Sequence, residues 1–149
     1  MTQAEAPPRL AVGARLTALG TGLSLAAPFV VLSMVTPAAA GLGTHTRLGL
    51  PTCTWPTALG IPCPSCGYTT AFTHAAHGDL WTSFVTQPAG FVLALASAMA
   101  AVVALACAAT AQPLHLLFAP LASRPIAWVA SAVFVLGWGY KIGTFKGWW

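Results

Sequence analysis

Ala89–Ala111, AGFVLALASAMAAVVALACAATA, runs for 23 residues without a formal charge. A membrane-crossing helix needs about 20 apolar residues to span about 30 Å of hydrocarbon. This run is long enough. Its side chains are mostly small, with Ser97, Ala101, Ala104 and Ala108 among them. Small faces let helices approach closely in lipid. Two weaker runs flank it. Leu16–Val35 is uncharged, with Pro28 inside it. A proline there kinks a helix without forbidding it, because bundle neighbours can satisfy the freed carbonyl. Ile126–Ile142 is a third run, 17 residues long and rich in Val, Ala and aromatic residues. The expected fold is an all-α integral membrane protein. It has three spans, about 16–35, 89–111 and 126–142, with a short Cys-containing interfacial helix between the first and second.

Composition agrees. Of 149 residues, 57% are hydrophobic and 5% are charged. A soluble domain is typically about 25% charged, so this chain cannot cover a globular surface with solvated groups. The length suits a short tail, residues 1–15, and a single membrane domain, residues 16–149. The net charge of +4 comes from singly placed residues: Arg9, Arg15, Arg47, Arg124, Lys141 and Lys146, against Glu5 and Asp79. No basic patch tracks a nucleic-acid backbone, so the lipid bilayer is the expected partner and nucleic acid is not. A rival reading of the first run is a secretory signal. Arg9 and Arg15 precede an apolar core, and Pro37-Ala38-Ala39-Ala40-Gly41 resembles a cleavage site. The core is longer than the usual 7–15 or so residues, which favours a retained span.

The chemistry-bearing segment is residues 51–88. Cys53 is followed by Cys63-Pro64-Ser65-Cys66-Gly67, then by His74, His77, Gly78 and Asp79. Pro64 suits the first position of a helix opening at Cys63. Gly78 suits its C-terminal stop, and Asp79 the N-cap of the next helix, which begins at Leu80. Gly41–Pro62 is expected to be a loop near the membrane surface, with Trp55 at that depth. Gln112–Arg124, carrying Pro113, His115 and Pro120, is expected to be a connector. Trp138, Tyr140, Trp148 and Trp149, with Lys141 and Lys146, suit an aromatic-basic belt closing the third span.

Three chemistries compete for the cysteines. The plainest is structural: a Cys53–Cys63 or Cys53–Cys66 disulfide would close a short loop and contribute about 2–4 kcal/mol. The second is zinc or another thiolate-bound metal on Cys53, Cys63 and Cys66. A fourth ligand cannot come from His74 or His77 on a continuous helix, because they lie about 12 and 16 Å along the axis from Cys66. His45 on the preceding loop is the better candidate. The third is thiol–disulfide exchange, with Cys63 activated at a helix start and Cys66 as the resolving thiol. The βαβ setting that usually gives CxxC this meaning is missing. Cys107, among alanines, suits packing alone. His77 suits hydrogen bonding to the last carbonyls of its helix, and Asp79 suits capping more than acid–base work.

These residues resemble the bacterial family of small membrane proteins of unknown function numbered 2752. The matching positions are Cys53, Cys63, Pro64, Cys66, Gly67, Thr69, His77, Gly78, Asp79 and Pro88. The family's pattern is similar to an upstream Cys, C-P-x-C-G-x-T-R-A, H-G-D and N-P. This chain departs from it at Thr70, where the pattern has Arg, and at Gln87, where it has Asn. The resemblance implies an architecture and no reaction. The expectation is therefore a non-enzymatic accessory or scaffold protein of a bacterial inner membrane, able to join other membrane subunits. Arg9 and Arg15 favour a cytoplasmic N-terminus, which places the cysteines on the extracytoplasmic side.

Overall fold

A computed structural model describes residues 11–111 and 123–148. The tail before Ala11 lies outside the described residues. So do residues 112–122, nearly all of the expected connector with His115, and Trp149.

Among the described residues, six α-helices and one short 3₁₀ turn follow one another without a strand. They are α1 (Val12–Ser33), the 3₁₀ turn (Thr44–Leu48), α2 (Trp55–Leu59), α3 (Tyr68–Ala76), α4 (Leu80–Thr86), α5 (Pro88–Thr110) and α6 (Arg124–Lys146). Helices α1, α5 and α6 are each long and apolar enough to cross a membrane.

The three long helices overlap the expected spans, with shifted ends. Helix α1 starts at Val12, so the last residues assigned to the tail form its first turn. Arg15 explains the shift. Its Nε donates to Ala108 O at 3.0 Å, a carbonyl in the last turn of α5. Such carbonyls have no partner within their own helix, and they sit at the negative end of the dipole. Arg15 therefore ties the start of α1 to the end of α5. Helix α6 runs 23 residues, beyond both ends of the expected third span. Lys141, expected near the closing end of that span, therefore has more than a full turn of helix beyond it.

Small residues set the packing. The buried side of α5 is Ala89, Gly90, Ala94, Ala101, Ala104, Cys107 and Ala108. Cys107 is a packing residue there, 4% exposed. A Cβ on Gly22 of α1 would stand 2.7 Å from Leu105 Cγ of α5, and one on Gly137 of α6 would stand 2.5 Å from Ala89 Cβ. Both contacts need glycine. The end of α1, the start of α5 and the last turns of α6 meet at one end of the bundle, where the segment carrying the cysteines lies.

That segment is more structured than a loop. Within residues 41–62 the chain forms the 3₁₀ turn and α2. The turn is bound to α3 by a buried hydrogen bond, Thr44 Oγ1 to Thr70 Oγ1 at 2.8 Å, and Thr44 Oγ1 also accepts from Ala38 N at 3.0 Å. Thr70 has no exposed surface. A buried, hydrogen-bonded hydroxyl thus stands where the family pattern has Arg.

Candidate metal centre

The helix expected to open at Cys63 opens five residues later, at Tyr68. The reason is Gly67, whose φ of +91° is left-handed and breaks helical geometry before α3 begins. Cys63-Pro64-Ser65-Cys66 is instead a tight turn, closed by Cys66 N donating to Cys63 O at 3.0 Å and Tyr68 N to Ser65 O at 3.1 Å. Neither thiol occupies a helix N-terminal position.

The turn has a different consequence. It brings Cys63 Sγ to 2.9 Å from Cys66 Sγ, and Cys66 Sγ lies 3.8 Å from Cys53 Sγ. All three sulfurs fall within 4.8 Å of one another. Two sulfurs on a tetrahedral zinc, each about 2.3 Å from the ion, stand about 3.8 Å apart. The Cys53–Cys66 separation therefore already matches a shared ion, and Cys63 would open by a fraction of an ångström. The four cysteines are free thiols, and the described residues contain no Cys53–Cys63 or Cys53–Cys66 disulfide.

The thiols are electrostatically unequal. Burial pushes the Cys66 thiol up to about 12, and its hydrogen bond with Cys63 adds to the rise. Burial also raises Cys63, but hydrogen bonds with Cys66, Ser65 and Cys53 outweigh it and leave Cys63 below its ordinary value. The lowering comes from neighbouring thiols and a hydroxyl, not from the helix end that the sequence suggested.

Around the sulfurs is a mostly apolar cavity of about 460 Å³. His45 lines it from the 3₁₀ turn, and Tyr68 and Thr69 line it from α3. The His45 ring is not among the groups within 4.8 Å of one another. His74 and His77 are not in that cluster either.

His77, Gly78 and Asp79 form a corner between α3 and α4. Asp79 N donates to His74 O and Gly78 N to Ala75 O, both at 3.0 Å, with Gly78 at φ +80°. This is the paired hydrogen bonding of a Schellman stop. His77 Nδ1 lies 2.8 Å from Thr73 O. Asp79 Oδ1 accepts from Thr82 N at 3.1 Å and so caps α4, while Oδ2 stands 3.4 Å from His74 Nδ1. Pro88 is the first residue of α5, behind Gln87 in extended conformation.

Residues 53–101 match DUF2752, a family of proteins of unknown function. The DUF2752 segment takes in the three clustered cysteines, the corner and the first half of α5. This is the family already resembled by the motif. No curated protein and no solved structure matches the chain.

Sequence reasoning missed the contribution of α6. Trp138 Nε1 donates to Pro62 O at 2.9 Å, next to Cys63. The Tyr140 hydroxyl donates to Val85 O at 2.8 Å. Lys141 Nζ donates to Gly41 O at 3.1 Å and Thr86 O at 2.9 Å. These side chains hold the polypeptide around the cysteines and do not simply form an interfacial belt. One signal was present in the sequence. Ile142-Gly143-Thr144-Phe145 continues the uncharged run beyond Lys141, which makes it an ionisable residue inside a span.

Proposed function

We propose that this is an accessory membrane protein whose Cys53, Cys63 and Cys66 hold a thiophilic metal ion, zinc above all, as a structural fastening. The observation that carries the reading is the convergence of three sulfurs, one from the segment before α2 and two from the turn before α3. A disulfide staple uses two sulfurs and gives the third no reason to converge. Three thiolates leave one tetrahedral position, and His45 on the cavity wall is the protein group best placed to fill it. Elemental analysis of protein purified without chelator tests this. The expected result is stoichiometric zinc or iron in wild type and its loss in Cys53→Ser, Cys63→Ser and Cys66→Ser. Traces of metal that are equal in wild type and Cys63→Ser would overturn the reading.

A second reading is favoured by the 2.9 Å approach of Cys63 and Cys66. In it, the Cys63 thiolate attacks a partner disulfide and expels one partner thiolate. Cys66 then displaces the second, so two electrons pass to the partner and a Cys63–Cys66 disulfide remains. Thiol trapping in a Cys66→Ser variant distinguishes the readings: accumulated mixed disulfides support exchange, and their absence supports the fastening.

We place the protein in a bacterial inner membrane with the cysteines extracytoplasmic, on the strength of Arg9 before α1 and Arg15 in its first turn. Free thiols oxidise in such a compartment, and a bound metal would hold them reduced. An accessory role predicts co-purification with other membrane subunits in mild detergent. A solitary species there would count against it.

A further inference from the structure

Lys141 is 6% exposed, in the apolar setting of α6. Its ammonium donates to two backbone carbonyls. Asp79 is the sole carboxylate side chain among the described residues, and it pairs with His74 at the corner. Lys141 thus has no carboxylate counter-ion there. A buried charge without an opposite charge is costly, and carbonyl dipoles only reduce that cost. The anionic chemistry beside it is that of the cysteines. A Cβ on Gly67 would stand 3.1 Å from Lys141 Cε and 3.3 Å from Nζ, so the lysine lies against the backbone immediately after Cys66.

Three thiolates around a divalent ion leave one net negative charge, and an ammonium neutralises it. We propose that Lys141 is the counter-ion of the three-thiolate centre. The centre it completes takes a divalent thiophilic ion with a neutral fourth donor, a water or the His45 imidazole. A hydroxide or another anion in that position would restore the net negative charge beside the lysine. The inference rests on the metal-fastening reading and gives that site its charge requirement. It also assigns a purpose to the contact between α6 and the cysteine turn.

The test uses the full chain in detergent with cobalt(II) as probe, read by its thiolate-to-metal charge-transfer absorption and by competition against a chelator. Lys141→Gln keeps N–H donors for Gly41 O and Thr86 O but removes the charge. Lys141→Arg keeps the charge. Lys146→Gln removes an exposed charge from the same helix end. The expected outcome is cobalt affinity about 10- to 100-fold weaker in Lys141→Gln, the range typical when an outer partner of a metal site is lost. Lys141→Arg and Lys146→Gln should stay near wild type. Equal affinity in Lys141→Gln and wild type would overturn the counter-ion while leaving the centre intact. No thiolate–cobalt absorption in wild type would overturn the centre itself. A readout on wild type alone covers the case in which Lys141→Gln does not fold. Cobalt loading should slow acylation of Lys141 by an amine-reactive reagent and leave Lys146 unchanged, and equal slowing at both would overturn the proposal.

Discussion

Asp79 works locally, through its hydrogen bonds and one charge. Hydrogen bonds from the Thr82 side chain and then its backbone amide hold the carboxyl below the ordinary 3.8, with a smaller contribution from His74. A depressed carboxyl stabilises the fold above its unfolded value, and that contribution is lost as pH falls through the folded one. Asp79→Ala should therefore lower the thermal midpoint at neutral pH, and the gap to wild type should close below about pH 3.8. Asp79→Asn, which keeps the side chain's shape without the charge, should fall below wild type at neutral pH and converge with it in acid. Melting curves across pH check both, and a gap that persists in acid would remove the carboxylate from the explanation. Gln87 is the opposite case. It is fully buried, and neither side-chain polar atom has a partner among the described residues. An unmet buried amide costs about 1–3 kcal/mol, so Gln87→Met, similar in volume and apolar, should be neutral or stabilising. A clear fall in the midpoint would mean that the amide has a partner.

At the scale of elements, Gly67 decides where α3 begins. Alanine there must adopt a left-handed backbone and meets Gly41 O at 3.2 Å as well as Lys141. The conformation alone costs roughly 1–2 kcal/mol. Gly67→Ala should destabilise the protein by at least that much and weaken metal binding, whereas Gly139→Ala, with open space around it, should do neither. Paired denaturation and cobalt titrations check this. The same glycine shows why part of the site was legible in the sequence and part was not. Apolar runs reveal spans because length and hydrophobicity are local, so all three long helices were visible. The Gly78-Asp79 corner was visible for the same reason, since stops and caps are made by neighbours in sequence. Pro64 looked like a helix start, but Gly67, needed where three segments of chain cross, overrode it. Lys141 was half legible: its place inside an apolar run was visible, but its acceptors, 55 and 100 residues away, were not.

For the whole molecule, three spans make the membrane a partition between two ends of the bundle. Arg15 and the last turn of α5 mark one end. The cysteine turn, the start of α5 and the Lys141 region of α6 mark the other, joined by the bonds from Trp138 to Pro62 and from Lys141 to Gly41 and Thr86. The end of α6 and the cysteines must therefore lie on the same side, and the start of α1 on the opposite side. Basic residues near the spans do not decide which side is cytoplasmic, because three fall at each end: Arg9, Arg15 and Arg124 against Arg47, Lys141 and Lys146. Burial of Lys141 alters that balance. A lysine committed to the interior of the bundle is a poor topological signal, which leaves Arg47 and Lys146 against the three at the other end. The remaining bias favours a cytoplasmic start of α1. In intact cells, a membrane-impermeant maleimide should label Cys53 and Cys63 after metal removal, and a C-terminal tag should be accessible to external protease while an N-terminal tag is protected. Protection of both the cysteines and the C-terminal tag would reverse the orientation and keep the fold. Separation of the cysteines from the C-terminal tag would break the three-span arrangement and, with it, the proposed pairing of Lys141 with the thiolate centre.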